Sequence, residues 1–183
     1  MKKSKKIQRL STLLEYGCYA VILVSIGLCA YVSWGLYASP GETLALYPSS
    51  YRSLIERFMT LRGIKYFIML VLTTGPVILR IYSYWRLGRM FAQFRRHNYF
   101  TLESANHLFV FAMINFWVFL LATPLYGIAD FIATIGTAEK PYGMPLIING
   151  DELSSLIGFG SFMVISWIIR EGVRMREENE EFL

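Results

Sequence analysis

Few side chains in this sequence could do chemistry, and the first group is a pair of histidines with a carboxylate between them. His97 and His107 are the only histidines, and Glu103 lies between them. Imidazole and carboxylate groups can hold a metal ion or move a proton. The spacing matches no standard metal site, however, and the chain has no phosphate-binding loop, nucleophile elbow or His-Glu-x-x-His stretch. We therefore expect solvated or interfacial histidines, no metal, no cofactor and no enzymatic activity.

The second group is a single amide in a long apolar stretch. Asn115 is the one strongly polar side chain near the middle of that stretch. An unpaired amide in hydrocarbon is unfavourable, so we expect Asn115 to hydrogen-bond to another helix. Contact with a solute or an ion is the alternative. Asp130 lies near the end of the same stretch, where we expect it to reach water.

Four apolar stretches position these groups, at residues 16–37, 66–85, 108–131 and 153–169. A helix needs about 20 apolar residues to cross the hydrocarbon core of a bilayer. The chain has 183 residues, of which 55% are apolar, so four such helices leave no room for a large soluble domain. The sequence predicts an all-α, integral membrane four-helix bundle forming a single domain over residues 1–183.

Positive charge is concentrated on one side of this predicted bundle. Of the 18 Lys and Arg residues, five precede the first span, four lie between spans two and three, and three follow span four. The positive-inside rule therefore predicts that both termini, the hairpin at 86–107 and the helix at 170–183 are cytoplasmic. Because these charges lie beside span ends and form no separate basic domain, we expect no direct nucleic-acid binding.

Two further patterns concern packing. Residues 50–62 place apolar side chains at near-helical spacing, which predicts a short amphipathic helix in the first external loop. Ser25, Cys29 and Ser33 repeat every four residues in the first span, and such small residues let helices approach closely. Their partner could be another span or a second copy of the chain, so a homo-oligomer stays open.

The connection between spans two and three has the most informative local pattern. Span two should continue as a helix to about Arg96, and His97-Asn98 is a plausible turn. Thr101 is typical of a helix N-cap, with Glu103 in the first turn of the next helix. The connection is therefore predicted to be a helical hairpin with a basic first arm.

A family resemblance rests on this hairpin and on the tail. The run Phe94-Arg95-Arg96, followed by residues 99–106 (YFTLESAN), resembles the central motif of the bacterial domain-of-unknown-function family 2975. Residues 170–180 (REGVRMREENE) resemble the family's ending. His97-Asn98 departs from the family's Gly-Glu, and His107 stands where Arg is common. The resemblance implies a small four-span membrane protein without enzyme activity. It also suggests a helix-turn-helix transcription regulator as partner, because such a regulator is often encoded beside family members.

These observations favour a non-catalytic protein of the bacterial inner membrane that binds a cytoplasmic protein through the hairpin and the C-terminal helix. The candidate partner-binding residues are Arg89, Arg95, Arg96, Thr101, Glu103, Arg174, Glu177 and Glu178. A small transporter or channel subunit is the alternative, with Asn115, Thr123-Pro124 and a kink at Gly75-Pro76 lining a path.

Overall fold

The computed structural model describes residues 2–45, 49–96, 101–135 and 150–180. Over these ranges the chain is all-helical. The helices are α1 (Lys2–Ala38), α2 (Pro40–Ala45), α3 (Ser49–Thr60), α4 (Ile64–Arg95), α5 (Leu102–Thr134) and α6 (Gly150–Glu180). The predicted all-α class is confirmed.

Four of these helices are long and apolar enough to cross a membrane. The candidate membrane-spanning helical segments, each of which contains an apolar window of 18 residues, are Lys5–Ala38, Ile64–Arg95, Leu102–Ala122 and Leu153–Arg176. Each of the four predicted spans lies within one long helix, α1, α4, α5 or α6. This is therefore a multi-pass membrane protein. The side of the membrane that each terminus occupies stays a prediction.

The exposed surface of these helices agrees with a lipid environment. Large apolar side chains such as Leu23, Trp34, Phe67 and Trp167 are mostly exposed. A water-soluble protein rarely exposes so much contiguous apolar surface, whereas lipid tails accommodate it. Helix α5 is the most enclosed, with 39% of its most apolar window buried against 11% or less in the other three.

The helices are also longer than the hydrocarbon core that they would cross. Helix α6 has 31 residues, and at 1.5 Å per residue it extends about 46 Å, against a core of about 30 Å. Helix α4 has 32 residues and is slightly longer. Each helix therefore has turns left over for the interface or for water.

The chain divides into two compact units. One unit, here called the terminal unit, comprises Met1–Leu23, Leu79–Phe119 and Ile148–Leu183. The other, here called the loop unit, comprises Val24–Ile78 and Leu120–Ile147. The terminal unit thus contains both chain ends, and the loop unit contains α2 and α3.

The loop unit has its own small apolar core, on which α3 packs. The buried side chains are Met69, Ala129 and Ala133, and the partly buried ones against them are Phe58, Leu61, Leu72 and Tyr126. The rings of Phe58 and Tyr66 also stack with their centroids 5.1 Å apart. The segment 50–62 therefore contains a helix with one apolar face against the core. Its placement on a membrane surface stays a prediction.

A tight turn reverses the chain between α3 and α4. Only residues 61–63 separate the two helices, and Gly63 has a φ of 66°. Residues with a Cβ rarely adopt this left-handed conformation, so glycine is the residue that permits so short a connection.

An ion pair joins α3 to α5 within the loop unit. Arg57 Nη1 lies 2.9 Å from Asp130 Oδ1, and the side chains are 16% and 3% exposed. The expectation that Asp130 reaches water is therefore wrong. Its position near the end of an apolar stretch suggested exposure, but α3 folds back and brings an arginine to it.

Candidate partner-binding surface

The start of α5 is fixed by reciprocal capping between Thr101 and Ser104. The Ser104 backbone N–H donates to Thr101 Oγ1 at 3.1 Å, and the Thr101 backbone N–H donates to Ser104 Oγ at 3.2 Å. Such an arrangement satisfies amide groups that have no partner inside the helix. Thr101 therefore caps the helix, and its hydroxyl is engaged within the chain. The predicted turn at His97-Asn98 lies outside the described residues.

Arg95, at the end of α4, is held by α1. Its guanidinium Nη1 lies 3.5 Å from Glu15 Oε2, and the Glu15 side chain is 9% exposed. The Gln8 side-chain amide donates to the Arg95 backbone carbonyl at 3.3 Å. Arg95 thus joins α4 to α1. This contact could not be predicted from the sequence, because Glu15 and Arg95 are far apart in the chain.

The neighbouring arginines are more open to a partner. Arg96 directly follows α4 and is exposed. Arg89 is also exposed, and its guanidinium carbon lies 5.9 Å from the centroid of the Trp85 ring. A cation over an aromatic face is weakly held at an exposed site. Both side chains can therefore contact another protein.

Helix α6 is attached to α5 by Arg170. One guanidinium nitrogen, Nη2, donates to Asn106 Oδ1 at 2.5 Å. The guanidinium carbon also lies 4.8 Å from the centroid of the Phe109 ring. Because both contacts are near the start of α5, they bring this part of α6 beside the second arm of the hairpin within the terminal unit. Neither contact was foreseen from the sequence.

The end of α6 carries exposed charges that pair along the helix. Arg174 lies 2.5 Å from Glu171 and 3.5 Å from Glu178, and the Arg174 and Glu178 side chains are more than 60% exposed. Exposed pairs of this kind contribute only about 0.3–0.5 kcal/mol each. Another protein could therefore contact these charges with little loss of helix stability. The side chain of Glu177 lies outside the described residues.

His107 is buried, contrary to the expectation of a solvated or interfacial histidine. It is 5% exposed, and the exposed Glu103 places Oε1 3.5 Å from its Nε2. Neither ring nitrogen makes a hydrogen bond within the described part of the chain. No group of three His, Cys, Asp or Glu residues that could hold a metal occurs among the described residues. The burial follows from the enclosure of α5, which extends to its first turns.

Asn115 is engaged between two helices of the terminal unit. Its Nδ2 donates to Ser83 Oγ on α4 at 2.8 Å and to the Phe111 backbone carbonyl at 2.8 Å. Asn115 is 4% exposed and Ser83 is fully buried. An amide nitrogen has two hydrogens, and both are used here. This geometry agrees with a packing role for Asn115.

We expect Asn115→Leu to lower the free energy of unfolding by about 1–2 kcal/mol, because it removes the bond to Ser83 and places a branched side chain in a tight contact. Chemical unfolding in mixed micelles measures this loss. In Asn115→Leu, adding Ser83→Ala should change stability little further. A change in solute flux without any loss of stability would contradict the packing role.

The sequence profile of a family described as "Protein of unknown function (DUF2975)" matches residues 19–182. The chain belongs to the DUF2975 family. The match covers nearly the whole chain and includes the hairpin and tail motifs that carry the resemblance. No curated protein and no solved structure matches the chain. The description of DUF2975 assigns no activity.

Proposed function

We propose that this DUF2975 protein is a non-catalytic protein of the bacterial inner membrane, and that its cytoplasmic surface binds a protein partner. The proposed surface consists of the hairpin Arg89–Asn106 and the helix Arg170–Leu183. The contact of Arg170 with Asn106 carries the proposal, since it joins the two segments. A partner could then touch both at once.

The proposed orientation rests on charge. Within the terminal unit, the N-terminal lysines, the arginines at the end of α4 and those of α6 all flank apolar segments. Positive residues next to spans stay on the cytoplasmic side. This supports cytoplasmic termini, and in the proposed orientation the connection 38–64 is external.

The charges of the surface suggest the character of the partner. Arg89 and Arg96 offer exposed positive groups on one arm, and Glu178 offers an exposed negative group on the other. A partner that contacts both arms would carry acidic and basic patches in matching positions. A helix-turn-helix regulator, which the family resemblance suggests, is the partner we propose.

The transporter alternative has less support. It required Asn115 to line a path, whereas the amide hydrogens of Asn115 are directed at Ser83 and Phe111. No other observation on the described residues favours a solute path over helix packing.

Site-specific photo-crosslinking tests the proposal in the cells that express the protein. A photoreactive residue replaces Arg96 on one arm or Glu178 on the other. We expect both positions to crosslink to the same soluble protein, because the two arms form one surface. Replacing Arg96 or Glu178 by the photoreactive residue should affect folding little, because both side chains are exposed.

Arg62 supplies the matched control. It is an exposed arginine in the turn between α3 and α4, in the loop unit. It should give no adduct with that protein. The proposal is wrong if Arg62 yields the same adduct, or if neither Arg96 nor Glu178 yields one.

A further inference from the structure

A basic cleft lies in the terminal unit between the first turns of α1 and the end of α4. Its cavity has a volume of about 480 Å³, and the lining residues are Lys5, Gln8, Arg9, Thr12 and Arg95. Sites for small molecules commonly measure about 300–1,000 Å³. Three of the five lining side chains are cationic and none is a carboxylate, so the chemistry of the cleft suits an anion.

The walls of the cleft are already held in place. Gln8 donates to the backbone carbonyl of Arg95, and Glu15 fixes the Arg95 guanidinium from one side. The Thr12 hydroxyl donates to the Gln8 carbonyl at 2.8 Å. The Gln8 and Arg95 side of the cleft is therefore preformed, whereas the exposed Lys5 and Arg9 side chains would become ordered on binding.

The positive charges that line the cleft are not all neutralised by neighbouring carboxylates among the described side chains. Lys5 and Arg9 are four residues apart on α1, and like charges at this spacing repel each other. Neither has a carboxylate partner among the side chains that the structure describes. Glu15 pairs with Arg95, so it balances the charge of Arg95 but not those of Lys5 and Arg9. An anion between the two helices would relieve the repulsion.

The position of the cleft indicates which class of anion it could bind. Lys5 and Arg95 lie on the parts of α1 and α4 that extend beyond the predicted spans 16–37 and 66–85. Basic side chains close to the ends of spans face the headgroup layer, where phosphate groups are concentrated. Arginine and lysine are also the usual side chains for binding phosphate.

We propose that this cleft binds a phosphate-bearing anion through Lys5, Arg9 and Arg95. The anion is either the headgroup of an acidic phospholipid or a soluble phosphate compound, which share the same recognition chemistry. Arg95 belongs to both proposed surfaces, whereas Lys5 and Arg9 belong to the cleft alone, so replacing Lys5 or Arg9 tests the cleft separately from the proposed partner.

Binding to the purified full-length protein in neutral detergent micelles tests the inference. The probes are short-chain phosphatidylglycerol, phosphatidylcholine of the same chain length and inorganic pyrophosphate, each titrated by calorimetry. Lys5→Gln and Arg9→Gln each remove one charge-assisted hydrogen bond and should weaken binding about tenfold. Arg95 is left intact because it also pairs with Glu15.

Lys6→Gln is the matched control, since Lys6 is exposed, adjoins Lys5 and does not line the cleft. It should change affinity less than about twofold. Tight binding of phosphatidylglycerol that depends on Lys5 and Arg9 identifies a lipid headgroup, and the same dependence with pyrophosphate alone identifies a soluble ligand. If neither phosphatidylglycerol nor pyrophosphate binds more tightly than phosphatidylcholine, or if Lys6→Gln weakens binding as much as Lys5→Gln, the inference is overturned.

Discussion

Replacing Arg57 by alanine is expected to lower the free energy of unfolding by about 3 kcal/mol, because it leaves the buried Asp130 carboxylate without its arginine. Asp130 is 3% exposed on the side chain and Arg57 16%, so water can solvate the remaining carboxylate only poorly. The pair also holds α3 against α5, which means that the loss should extend to the packing of Phe58. Equilibrium unfolding in mixed detergent micelles measures the change.

Arg62 provides the control for this experiment. It lies five residues further along, is exposed, and its replacement by alanine should change stability by less than about 0.5 kcal/mol. A second variant combines Arg57→Met with Asp130→Leu. Because apolar side chains of similar size often replace a buried ion pair without loss, it should recover most of the stability. Equal effects of Arg57→Ala and Arg62→Ala would contradict a structural role for the pair.

Two adjacent arginines are expected to respond very differently to charge reversal. Arg95→Glu should lower the free energy of unfolding by about 2 kcal/mol, because it removes an ion pair and places a second carboxylate beside the buried Glu15. The expected loss is moderate because the Arg95 side chain is 39% exposed and water screens part of the charge interaction. Arg96→Glu should stay within about 0.5 kcal/mol of the native protein.

The same measurement in mixed micelles distinguishes the two positions. Adding Glu15→Gln to Arg95→Glu should restore part of the lost stability, since it removes the repulsion between carboxylates. If Arg95→Glu and Arg96→Glu prove equally stable, the contact with α1 is unimportant. The comparison also decides how partner binding can be tested, because a variant of Arg95 would confuse folding with recognition, whereas one of Arg96 would not.

The sequence could predict the membrane helices because that information is local. A stretch of apolar residues long enough to cross the bilayer is visible without knowing what it packs against. Thr101 could be placed at a helix start for the same reason, since an N-cap depends on its own neighbours. The capping hydrogen bonds of Thr101 are made with Ser104, only three residues away.

The contacts between helices could not be predicted in this way. Arg57 and Asp130 are 73 residues apart, and Arg170 and Asn106 are 64 apart. In a helix that is apolar on nearly every face, the sequence does not indicate which face meets another helix and which meets lipid. His107 was misjudged for this reason, because its burial depends on neighbours that enclose α5.

That enclosure has a consequence for how the protein can evolve. On α1, α4 and α6, many large apolar side chains are exposed, and where lipid covers them one aliphatic residue can replace another without disturbing a neighbour. A side chain of α5 is surrounded on more sides, so its substitution generally requires a compensating one across the contact. Among relatives, divergence should therefore accumulate on the three less buried helices, while α5 changes slowly and in step with the residues that contact it.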